Sequence, residues 1–105
     1  MGKTLRDTEG GVCAVLRAET KPGADEECAA LLRDLAYRVR AEEPGCMSYV
    51  VTRALGSPSH FAVHAQFEDM DAFNEHAETE HMSRMMPRLR GLLATPISME
   101  LFFAL

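Results

Sequence analysis

The chain has 105 residues, 47% of them apolar, and a net charge of −5, which fits one domain with a real core. The acidic balance excludes nucleic-acid binding through a basic phosphate-contacting surface and membrane anchoring through a polybasic patch. No apolar run is long enough to cross a bilayer, MGKTLRDTEGG lacks the core of a signal peptide, and Cys13, Cys28 and Cys46 lack metal-ligand spacing, so a cytoplasmic protein with reduced thiols is expected.

Met1 to Gly11 is polar and ends in glycines, the composition of a flexible arm, and the domain is expected over residues 12–105. Val12 to Thr20 reads as a first strand. Val12, Ala14, Leu16 and Ala18 share one face, and Cys13, Val15, Arg17 and Glu19 share the other. Lys21-Pro22-Gly23 stops it. Asp25, Glu26 and Glu27 then complement the dipole at a helix start. Along that helix, predicted over 24–41, Cys28, Leu31, Leu32, Leu35 and Val39 form one apolar stripe. Glu43-Pro44-Gly45 ends it, because the residue before proline avoids helical geometry. A second strand is predicted over 46–54, with Met47, Tyr49 and Val51 on one face. The Gly56-Ser57-Pro58 turn leads into a third over 59–67, forming a hairpin. On that third strand Phe61, Val63, Ala65 and Phe67 point one way, and Ala62, His64 and Gln66 the other.

Asp69 is placed to cap a helix whose buried side carries Met70, Phe73 and Ala77. A break is expected at Glu78-Thr79-Glu80. Beyond it Met82, Met85, Met86, Leu89, Leu92 and Leu93 form a further stripe. Pro87 lies inside that stripe and, having no N–H, is expected to bend or break the helix. Pro96 opens a last strand over 97–104. The order β-α-β-β-α-β predicts an α+β, ferredoxin-like domain with a four-stranded antiparallel sheet. Its helices cover one face only. The other face, with positions 62, 64 and 66 and Phe102, calls for a second copy, so a homodimer is expected.

Several motifs bear a family resemblance when taken in order. Glu42-Glu43-Pro44-Gly45-Cys46-Met47-Ser48-Tyr49 resembles the EEPGCLxY signature of the antibiotic biosynthesis monooxygenase superfamily. Ala72-Phe73-Asn74-Glu75-His76 followed by His81 resembles its AFxxHxxxxH helix, and Leu89, Leu92, Leu93 and Pro96 resemble its closing helix. The resemblance covers Val12 to Leu105. It implies a dimeric α+β barrel, with a pocket in each subunit between sheet and helices. It also implies a cofactor-free monooxygenase acting on a small phenolic, quinol or polyketide substrate. Strand three in many members of the family ends in a tyrosine, glutamate, arginine, tryptophan run; here His64, Ala65, Gln66 and Phe67 stand at those positions, so the carboxylate and the tryptophan are missing. The haem-degrading branch places an asparagine on strand one, and Val12 to Thr20 has none, so haem is not expected as substrate.

His76 is the candidate catalytic residue. A neutral imidazole takes a proton near pH 7, which deprotonation of a phenol for reaction with oxygen requires. The competing reading is a half-buried histidine bonded to a backbone group. Phe67, Phe73, Tyr49, His81 and Met85 are the candidate substrate contacts, since aromatic rings and methionines suit an apolar aromatic ligand. Each also reads as core, and His81 as a bond across the helix break. His76 and His81 are five apart rather than four, so no metal site is expected. Two further readings of the same fold are a non-catalytic small-molecule-binding or accessory dimer and an isomerase with His76 as base.

Overall fold

The structure, a computed structural model, describes residues 11–105; the expected N-terminal arm lies almost entirely outside them. Strand β1 spans Val12–Glu19, helix α1 Asp25–Glu42, β2 Cys46–Arg53, β3 His60–Phe67, α2 Met70–Ala77, α3 Glu80–Leu92 and β4 Ser98–Phe103. The sheet order is β2-β3-β1-β4, with every pairing antiparallel, and this is the ferredoxin-like arrangement.

Strand parity sorts the side chains. Val12, Ala14, Leu16 and Ala18 of β1 lie opposite Phe67, Ala65, Val63 and Phe61 of β3. This face packs on α1, whose Cys28, Leu31, Leu32, Leu35 and Val39 are buried as their spacing predicts. Phe67 is 1% exposed and is the largest fully buried side chain among the described residues. The opposite face carries Val15, His64 and Phe102, and nothing among the described residues covers it: Val50 is 50% and Phe102 47% exposed.

Two sequence expectations change. The pairing of β2 with β3 shifts between Cys46 and Ser48, and the extra residue of this bulge leaves Met47 exposed instead of aligned with Tyr49 and Val51. Pro87 does not break its helix: α3 runs unbroken through it from Glu80 to Leu92. Pro87 is exposed, while Met85 and Leu89 on the buried side of the same helix hold it against the core. The break does fall at Glu78-Thr79. Asp69 caps α2 by accepting from the Ala72 N–H at 2.8 Å, and Thr79 caps α3 by accepting from Met82.

Candidate functional site

The two caps decide where the histidines stand. His76 falls in the last turn of α2 and His81 in the first turn of α3, so one short turn brings both toward the segment that leaves α1. That segment is extended at Glu43, whose N–H still bonds to the Val39 carbonyl at 3.0 Å. Gly45 accepts from the Glu68 N–H at 2.9 Å, which seats the α1–β2 turn against the start of α2.

Glu43 thereby enters a cluster that sequence spacing does not reveal. His76 Nδ1 lies 2.9 and 3.0 Å from the two Glu43 oxygens, and His81 Nε2 is hydrogen-bonded to Oε2 of the same carboxylate. The three side chains are all less than one-tenth exposed. His81 Nδ1 stands 3.7 Å from Glu42 and faces a surface hollow lined by Arg38, Glu42, Thr79, Glu80 and Arg84. The donor set is that of a divalent metal site, with ligand atoms within 4.8 Å of one another. The spacing of the carboxylate to both rings is that of hydrogen bonds, and no sealed side-chain polar atom among the described residues lacks a partner.

On its other side His76 borders a cavity of about 710 Å³ between the sheet and helices α2 and α3. Tyr49, Phe67, Phe73, Met82, Met86 and Met99 form much of its wall, and His76 and Arg90 are its ionisable groups apart from Tyr49. The His76 ring lies 5.1 Å from Phe67 and 5.6 Å from Tyr49, centroid to centroid. Burial among these rings lowers the His76 pKa below the ordinary histidine value, outweighing the opposite pull of Glu43. Burial, reinforced by Glu43, raises that of the Tyr49 phenol. At neutral pH His76 is therefore an uncharged imidazole facing an apolar space.

Of the residues singled out from sequence, the structure brings His76, Tyr49, Phe67 and Phe73 to the cavity wall. It does not bring His81 or Met85 there. His81 turns to Glu43 and the surface hollow, so its bond reaches the α1–β2 turn rather than bridging the helix break. Met85 is core, one position off the helical face that presents Met82 and Met86 to the cavity. Glu43 and Arg90 were not legible as site residues. His64 stands on the open sheet face, within 3.3 Å of Thr52, and Arg53 bonds to Glu26 and lies over the Phe61 ring.

Comparison with known proteins agrees with this architecture. A family protein from Caulobacter crescentus CB15 superposes with a TM-score of 0.87 at 26% identity, covering 92% of each chain. An antibiotic biosynthesis monooxygenase structure gives 0.83 at 26% identity, covering 90% of this chain and 98% of the other. Rv0793 from Mycobacterium tuberculosis, at 22% identity and a TM-score of 0.83 over 90% and 94% of the two chains, shares the fold. No curated protein matches the sequence significantly. The model of the family described as antibiotic biosynthesis monooxygenase matches residues 11–88. The chain belongs to the antibiotic biosynthesis monooxygenase family.

Proposed function

We propose that the protein is a cofactor-independent monooxygenase acting on a small planar phenol, quinol or anthrone-type substrate bound in the cavity beside His76. The observation that carries this reading is a buried imidazole set in the wall of an aromatic- and methionine-lined space large enough for such a ring system. His76 takes the hydroxyl proton. The electron-rich anion then reduces oxygen. One oxygen atom ends on the substrate, the other leaves as water, and all four electrons come from the substrate, so the chemistry needs no flavin or metal. The apolar wall excludes water and strengthens the electrostatic hold on the anion. Turnover of a panel of quinols and anthrones, unaffected by chelators and reduced about 100-fold or more in His76→Ala, is the expected result. No oxygen uptake by folded protein across the panel refutes it.

Ala65 and Phe67 favour a second reading, a non-catalytic small-molecule-binding dimer, since they remove the carboxylate and tryptophan common in active relatives. Binding of aromatic ligands without turnover distinguishes it. In either reading the working unit is a homodimer stacked through the open sheet faces, supported by the exposed apolar Val50 and Phe102. The three free cysteines fit a reducing, cytoplasmic setting.

A further inference from the structure

An ionised carboxylate only accepts hydrogen bonds, so both imidazoles meet Glu43 with an N–H. For His76 this places the single ring proton of the neutral form on Nδ1 and leaves a lone pair on Nε2. Nε2 has no hydrogen-bond partner among the described residues and is not a sealed atom, and the ring borders the cavity. Nε2 is thus the nitrogen left to accept a proton from a molecule in the cavity that the ring borders.

We propose that Glu43 is the positioning residue of this site, holding His76 in the Nδ1–H tautomer and balancing its positive charge, and that His81 competes with His76 for the same carboxylate. This rests on the reading of His76 as the base. In the step itself the substrate O–H bond breaks, the proton goes to Nε2, and the oxygen keeps the electron pair. The imidazolium that forms stays hydrogen-bonded through Nδ1 to Glu43, so the buried pair is neutral overall. Without Glu43 the cation stands alone among Tyr49, Phe67 and Phe73.

His81 gives the arrangement a second input. It reaches Glu43 from the solvent side, beside Glu42 and the hollow that also holds Arg38, Glu80 and Arg84. Glu43 favours protonation of His76, and His81 opposes it. The other ionisable groups around the pair are Arg90 on the cavity wall, Tyr49 and Cys46 on β2, and Arg40, which donates to the Tyr49 carbonyl at 2.8 Å; the thiol of Cys46 is pushed up to about 11 by burial and by Glu43.

The test compares Glu43→Gln, Glu43→Asp and His81→Gln with the wild type, each checked for folding by circular dichroism. Long-range nitrogen–proton correlation spectra report the His76 tautomer and its titration midpoint without any substrate. The wild type is expected to carry the His76 proton on Nδ1. Glu43→Gln loses that preference and moves the midpoint to lower pH, and Glu43→Asp restores part of both. His81→Gln keeps an N–H donor but removes the imidazole that opposes protonation of His76, so the midpoint moves to higher pH. In turnover, Glu43→Gln lowers kcat by about 100-fold or more with little change in KM, whereas His81→Gln stays within a few fold of wild type. Opposite displacement by the two substitutions is something a purely structural role does not produce. A wild-type His76 protonated on Nε2, midpoints that move together or not at all, or stoichiometric Zn(II) uptake abolished by Glu43→Gln overturns the proposal. If the spectra behave as expected and no substrate turns over, the hold of Glu43 on His76 stands and the monooxygenase reading falls.

Discussion

Phe67→Ala tests both the packing and the electrostatics of the site. The ring is 1% exposed, meets Phe73 edge-on at 5.5 Å and lies 5.1 Å from the His76 ring. Truncation removes roughly 120 Å² of buried apolar area, worth about 3 kcal/mol at about 25 cal/mol per Å². Loss of the aromatic pair adds about 1 kcal/mol, and the total of about 4 kcal/mol sits within the usual range for Phe→Ala in a core. Urea unfolding at fixed protein concentration is expected to show that loss, with Tm lower by on the order of 20 °C. The same deletion extends the cavity toward His76 and admits water. Since burial is the larger influence on His76, its titration midpoint is expected to rise toward the ordinary value. A loss below about 1 kcal/mol would show that the core collapses around the gap. An unmoved or lowered His76 midpoint refutes burial as the cause of its depressed basicity.

Two other outcomes follow from the fold. Pro87→Ala is expected to stabilise the protein by about 1–2 kcal/mol, because proline costs about 3 kcal/mol in a helix interior while its stiffening of the unfolded chain returns part of that; the position is exposed and gives up no packing. A measured destabilisation contradicts this. The wild type is expected to sediment as a dimer at micromolar concentration, and Val50→Glu combined with Phe102→Glu as a monomer, since both residues sit on the uncovered sheet face. A monomeric wild type removes the stacked-sheet assembly.

The fold was legible because each element carries its own period. The α1 stripe, the alternation along β3, the cap at Asp69 and the break at Glu78-Thr79 each have a local physical cause, and each is found where its pattern points. Strict strand alternation fails in one place. A bulge at Cys46 and Ser48 is one extra residue with no signature of its own, so alternation alone puts Met47 on the wrong face. Pro87 breaks the local rule, but the packed side of α3 overrides it. The site was half legible. His76 stood out by residue type and by its place in the stretch that resembles the AFxxHxxxxH helix. Glu43 did not, because it lies 33 positions away and follows another glutamate; only the turn after α1 separates the roles of Glu42 and Glu43. The split between Met85 and its neighbours required knowing which way α3 is rolled against the sheet.

Gly45 acts as a spacer gauge for the whole site. A β-carbon there would stand 2.7 Å from the Cβ of Ala72, on the first turn of the helix whose last turn carries His76. Any side chain must therefore push that helix outward or lift the turn that carries Glu43, and either movement lengthens a hydrogen bond of 2.9 Å. The smallest residue in the chain thus calibrates the reach between carboxylate and imidazole, and a single methyl group at position 45 would detune a base it never touches.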